Sequence, residues 1–194
     1  MIAGLILAAG ESSRMGRDKA VLAYRGHTFL ETIITTLREA GVERIAVVLG
    51  HHAEEIQRTV RFDNVEVVIN PDWQRGQTSS LQAGLRALES PDLEALLLCL
   101  VDHPAVSPET IRRLLDKFNA HHPAAVIPTF QNQRGHPVII GRALFPELLS
   151  LSPDEGANRV VRTYSHATEF LEVDDPGIVL DADDEQTYMR LQGQ

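Results

Sequence analysis

Aromatic residues make up only 5% of the 194 positions, and tryptophan occurs once, at Trp73. Cysteine also occurs once, at Cys99. A lone cysteine excludes an intramolecular disulfide. Its place in the apolar run 95–101 fits a small core residue. Basic residues are outnumbered, 18 Lys and Arg against 27 Asp and Glu, for a net charge of −9. That balance argues against a nucleic-acid or anionic-membrane partner. No apolar run approaches the roughly 20 residues of a membrane span. The apolar start lacks a basic flank and runs into Gly10, unlike a secretory signal. Repeats, low-complexity tracts and linkers are absent. These absences lead to the expectation of a cytoplasmic protein folded as a single domain over residues 1–194, ample length for a core.

Against the acidic background, the opening stretch stands out. Residues 2–9 are apolar and uncharged, as in a strand buried on both faces of a parallel sheet. They end in Gly10-Glu11-Ser12-Ser13-Arg14-Met15-Gly16-Arg17-Asp18-Lys19. Gly10 and Gly16 let the backbone turn tightly and approach a ligand closely. The hydroxyls of Ser12 and Ser13 and the free amides between the glycines can form an anion-binding concavity. Arg14 and Lys19 add a planar fork and a point charge suited to phosphate. The loop is not a Walker A motif, because Gly16 is not followed by Lys-Ser/Thr, and it lacks the dinucleotide pattern G-x-G-x-x-G.

The run Leu7-Ala8-Ala9-Gly10-x-Ser12-x-Arg14-Met15-Gly16-x-x-Lys19 resembles the signature of the MobA-like nucleotidyltransferases, and within them the molybdenum cofactor cytidylyltransferases. The resemblance implies a three-layer α/β/α, Rossmann-like nucleotidyltransferase fold that binds a nucleoside triphosphate and Mg²⁺. In it, residues 7–10 with Ser12, Ser13 and Gly16 bind nucleotide, and Arg14, Lys19 and Asp102 serve catalysis.

The rest of the chain alternates strand and helix. Thr28 and Glu31 form a capping box ahead of an apolar face at Phe29, Ile33, Ile34 and Leu37, and Gly41 stops that helix. Strands are expected at 44–49 and 65–69, with a short helix at 53–60 between them. This order predicts a mostly parallel sheet of about seven strands with right-handed crossovers. After the third strand, residues 70–81 offer a close approach at Gly76 and polar donors at a helix start. Thr78 or Ser79 can equally be helix caps, and Trp73 reads as packing. The segment resembles the family's base and ribose contact, which implies nucleotide-binding roles for Asn70, Gly76 and Ser80.

Residues 95–101 are the most hydrophobic run and deliver Asp102-His103-Pro104. A carboxylate at the tip of a buried strand suits Mg²⁺, or caps the next turn. The resemblance assigns Asp102 to the metal. Ser107-Pro108-Glu109 opens a helix. A strand is expected at 124–128, then a polar loop at 129–136, then a strand at 138–140 lying antiparallel. Arg134-Gly135-His136-Pro137-Val138 reads as a hairpin turn by itself. It also resembles the cytidylyltransferase segment bordering the acceptor, which implies Arg134 and His136 as acceptor contacts. Arg159 joins them through a partial likeness at 154–159. In the acidic cluster at 181–185, Asp183, or Asp181 in its place, would complete the metal site with Asp102. His51-His52 and His121-His122 read as solvated surface.

The reaction expected from the resemblance is transfer of CMP from CTP, or of a nucleotide from another triphosphate, to a phosphorylated small-molecule acceptor. That acceptor is the molybdopterin form of the molybdenum cofactor, and a molybdenum hydroxylase is the client partner. Ala9 and residues 135–138 favour the cytidylyl group over the guanylyl group. Rival readings are transfer to a sugar or polyol phosphate, a GTP-using guanylyltransferase, a flavin- or nicotinamide-dependent reductase, and a non-catalytic carrier or chaperone for the cofactor.

Overall fold

The computed structural model describes residues 1–11 and 17–192. In chain order its strands are β1 (Ile2–Ala8), β2 (Ala23–Tyr24), β3 (His27–Thr28), β4 (Ile45–Leu49), β5 (Glu66–Ile69), β6 (Ala95–Leu100), β7 (Ala125–Phe130), β8 (Gln133–Arg134), β9 (Val138–Gly141) and β10 (Thr168–Glu172). The α-helices are α1 (Phe29–Glu39), α2 (Ala53–Thr59), α3 (Gln77–Leu88), α4 (Pro108–His121), α5 (Phe145–Ser150), α6 (Ala157–Thr163) and α7 (Glu185–Gln192).

Among the described residues, the main sheet has eight strands. Seven follow the order β10-β7-β9-β6-β1-β4-β5, and β8 pairs with β7. β1 pairs in parallel with both β4 and β6, and β10 runs parallel to β7. β9 is antiparallel to β6 and to β7, the inverted member expected near Val138. The small hairpin β2–β3 turns through Arg25 and Gly26, both at positive φ.

Period-two alternation sorts the strand side chains onto two faces. From β1, Ile6 and Ala8 join Leu30, Leu37, Ile56, Ile111 and Phe118 under α1, α2 and α4. Ala3, Leu5 and Leu7 join Leu81, Leu85, Phe145 and Val160 under α3, α5 and α6. The result is three layers, helices on both faces of a sheet whose central strands are buried from both sides. Burying Leu30 and Leu37 completely contributes about 1.5–3 kcal/mol each. A third cluster seats α7 on the hairpin through Leu22, Tyr24, Phe29, Ala182 and Leu191.

Local signals act as read at α1, where the Thr28–Glu31 capping box forms, and at α4, where Ser107 caps Thr110 N–H. The start of α3 differs. Its N-cap is Gly76, without a side-chain cap, while Thr78 donates to the Glu155 carbonyl and Ser79 to the carbonyls of Asp72 and Gly76. These hydroxyls tie loops together instead of capping.

Candidate active site

β4 and β5 lie on one side of β1, and β6 begins the other side, so the chain switches direction between β1 and β6. In open α/β sheets, ligands sit outside the strand carboxyl ends at such a point. A cleft of about 330 Å³ opens there, lined by residues 7–11 after β1, Leu100, Val101 and Asp102 after β6, and Gly76, Gln77 and Ser80 at the start of α3.

Lys19 enters the cleft on a short 3₁₀ turn, Lys19–Val21, capped by Asp18, whose Oδ1 accepts from Ala20 N–H at 3.0 Å. Its Nζ lies 3.3 Å from Asp102 Oδ2 and 2.5 Å from Asp183 Oδ1. The Lys19 and Asp102 side chains are only 12% and 22% exposed, so solvent screens this pair weakly, while Asp183 is about half exposed. Asp183 is delivered by the chain after Ile178, pinned where Ala182 N–H donates to the Asp102 carbonyl at 2.9 Å. It is Asp183 that faces Lys19, while Asp181 is exposed. Asp102 Oδ1 is buried with no hydrogen-bond partner among the described residues. Two carboxylates with one orphaned oxygen form an oxygen donor set that fits a hard divalent cation.

Leu7, Ala8, Ala9, Gly10, Gly76 and Ser80 all line the cleft. Gly76 sits at φ 96°, ψ 178°, a conformation that other residues rarely adopt. Asn70 is buried and does not line it. Its amide donates to Ser79 and Ser80 hydroxyls, and its Oδ1 accepts from Asp72 N–H. It braces residues 70–76 against α3. Ser12, Ser13, Arg14 and Gly16 lie outside the described residues.

A second cavity, about 390 Å³, adjoins the first and shares Gln77 and Leu100 with it. Arg134, Gly135, His136, Asn158 and Arg162 line it. The Arg134 guanidinium lies 4.7 Å from the Phe170 ring centroid, a cation–π arrangement. Arg159 is not in the lining. It pairs with Glu155 one helical turn back, and Arg162, one turn on, faces the cavity instead. Gly135 is dictated by packing: a Cβ there would stand 2.2 Å from the Ile178 carbonyl oxygen. Burial pushes the His136 imidazole down to about 4, His103 adds to the shift, and Asp102 opposes it. His136 is therefore neutral near neutral pH. The His136–Pro137 peptide is cis.

The MobA-like NTP transferase domain matches residues 4–168. The chain belongs to that family. Among relatives of this MobA-like protein, nicotine blue oxidoreductase of Paenarthrobacter nicotinovorans is 31% identical over 98% of this chain and 96% of its own. Molybdenum cofactor cytidylyltransferase of Escherichia coli (strain K12) is 25% identical over 92% of this chain and 89% of its own. Among solved structures, Rv0371c of Mycobacterium tuberculosis H37Rv superposes with a TM-score of 0.89 at 33% identity, covering 100% of this chain and 97% of that one. A manganese complex of Rv0371c superposes at 0.83, with 30% identity and coverage of 100% and 98%.

Several residues of this MobA-like site escape a sequence reading. Arg162 carries no motif, and Gln77, one of the polar donors expected at 70–81, is shared between the two cavities. Trp73 packs, as expected, but also forms a wall of the first cleft. His51, read as solvated, is half-buried, its ring 4.9 Å from Trp73 and 3.7 Å from His52. His121, also read as solvated, is exposed and bonds Glu169 at 2.9 Å. Among the described residues, no helix is long and apolar enough to cross a membrane.

Proposed function

We propose that this protein transfers CMP from CTP to the molybdopterin form of the molybdenum cofactor and releases pyrophosphate. The observation that carries this reading is the contiguity of the two cavities across Gln77 and Leu100. Transfer between two anionic substrates needs adjoining sites that hold both in near-attack geometry. The acceptor phosphate attacks the α-phosphorus, a P–O bond forms, and the bond to the β-phosphate bridging oxygen breaks. A phosphate nucleophile is ionised at neutral pH, so positioning and charge stabilisation suffice.

In this reading, the amides and hydroxyls of residues 10–16, with Arg14 and Lys19, hold the triphosphate tail. Leu7, Ala8, Ala9, Gly76 and Ser80 shape the nucleoside end, with Asn70 holding Ser80 in place. Asp102 and Asp183 would hold Mg²⁺, which supplies charge neutralisation on phosphate oxygens when bound. Arg134 and Arg162 supply positive charge to the acceptor, and neutral His136 supplies a hydrogen bond. Arg159 orders the rim through Glu155. The preference for CTP draws on Ala9 and on the relative named as a cytidylyltransferase; the client is a molybdenum hydroxylase.

The test is pyrophosphate release from each of four triphosphates, with and without molybdenum cofactor. Release that requires both CTP and the cofactor is the expected result. Release with a sugar or polyol phosphate instead would replace the acceptor. A second reading rests on the relative named nicotine blue oxidoreductase: the same clefts would hold a nicotinamide or flavin cofactor and the substrate it reduces. Loss of reduced-nicotinamide absorbance without pyrophosphate release would favour it.

A further inference from the structure

Parallel pairing of β1 with β4, Ala8 opposite Leu49, makes the loops after both strands emerge side by side. His51 N–H donates to the Ala9 carbonyl at 3.1 Å, which fixes the His51-His52 pair beside the cleft wall. Asp18 arrives at the same place ahead of Lys19. One ligand-type atom from each of Asp18, His51 and His52 lies within 4.8 Å of the other two.

Two of these groups are buried and unsatisfied among the described residues. Asp18 is 8% exposed. Its Oδ1 is used by the Ala20 amide, but its Oδ2 has no hydrogen-bond partner. The Nδ1 of His51 is likewise buried and unpartnered. Leaving a buried polar atom unpaired costs about 1–3 kcal/mol. An imidazole and a carboxylate this close would ordinarily bond each other, yet here neither atom has a hydrogen-bond partner among the described residues. Burial raises the Asp18 carboxyl above its ordinary range, with the two histidines opposing that shift. His52 is held in the left-handed region, φ 54° and ψ 26°, without making a side-chain cap for α2. That conformation is uncommon for a non-glycine residue.

We propose that Asp18, His51 and His52 bind a divalent transition-metal ion at the edge of the nucleotide cleft, at a site separate from Asp102 and Asp183. Two imidazoles and one carboxylate suit a borderline ion such as Zn²⁺, whereas Mg²⁺ prefers oxygen donors. Three protein ligands leave a position open for water or a substrate oxygen. Asp18 itself lines the cleft, so an ion here would border the bound nucleotide.

The experiment uses the full chain, stripped of metal by chelation and then titrated with Co²⁺ read by its visible absorption, and with Zn²⁺ read by calorimetry. One equivalent is expected to bind, with a nitrogen-ligand spectrum that a large excess of Mg²⁺ does not displace. Losing a ligand should weaken binding at least as much as losing an outer-sphere partner, about 10–100-fold. His52→Asn keeps a residue tolerant of the left-handed conformation, and Asp18→Asn keeps an oxygen for the Ala20 cap. Both should therefore fold and bind Co²⁺ at least about 10-fold more weakly. The Asp102→Asn/Asp183→Asn double variant should bind it unchanged. Unaltered Co²⁺ affinity in His52→Asn and Asp18→Asn, or loss of binding in the double variant, would overturn the proposal. Neither result depends on whether the protein transfers nucleotides, which pyrophosphate release measures separately.

Discussion

Lys19 lies between two carboxylates, Asp102 and Asp183, at the floor of the cleft. Removing one electrostatic partner of a transferring phosphoryl group costs on the order of 10²–10³ in rate. Lys19→Ala and Asp102→Ala should each lose turnover by about that factor while circular dichroism stays native, and full activity in either would remove that residue from the chemistry. His136 gives a pH prediction. Its folded-state value of about 4 lies below its ordinary 6.5. Between those values the unfolded chain binds the proton more readily, so stability is complete above the ordinary value and is lost as pH falls toward 4. The loss is on the order of 2–3 kcal/mol, visible as a falling denaturant midpoint. His136→Gln should flatten that dependence, and an unchanged slope would mean other groups set it. At this scale the motifs that resemble a family pattern, Leu7 to Gly10 and Asp102, mark residues that the fold brings to one cleft. The sequence was not legible at Arg162 or Asp18, whose positions depend on helix phase and on distant loops meeting. For Asn70 the motif marked the right loop, but burial gives the side chain a bracing task instead of a place on the cleft wall.

Elements are held by a few local devices that can be tested singly. The Thr28–Glu31 capping box should lose about 1 kcal/mol in Thr28→Ala, seen as a lower unfolding midpoint with unaltered turnover. Gly135 has a sharper requirement. Its Cβ would meet the Ile178 backbone at 2.2 Å, so the segment carrying Arg134 and His136 would have to move. Gly135→Ala should destabilise by about 1–3 kcal/mol and raise KM for the acceptor more than for the triphosphate. Equal KM changes would mean that the segment does not serve the acceptor. Helices and strands were readable from apolar periodicity and caps, with ends displaced by a residue or two. The strand β8 was hidden inside a polar loop, because two residues of a hairpin carry no periodic signal. The α3 start stays open in the sequence because hydroxyls at a helix N-terminus look alike whether they cap it or reach across to Glu155.

For the molecule as a whole, the parallel sheet places both cavities at one edge, so ligands should stabilise the entire fold. Ligand at about 100 times its dissociation constant contributes about 2.7 kcal/mol. For a chain of this size each kcal/mol is worth roughly 2–4 °C. CTP with Mg²⁺ should therefore raise the melting temperature by about 5–10 °C, and more than GTP does. An equal rise with every triphosphate would remove the cytidine preference. The three-layer architecture was the most legible feature, since uncharged runs alternating with amphipathic helices leave few other ways to bury both kinds of surface. One strand departs from the common direction. Because β9 runs opposite to β6, with Val138 opposite Leu98, the chain enters β9 from the rim where β6 ends. Under the proposed function, the acceptor side is thus supplied by a loop separate in sequence from the one after β1, so recharging Arg134 at its edge should alter the choice of acceptor before it alters the hold on the triphosphate.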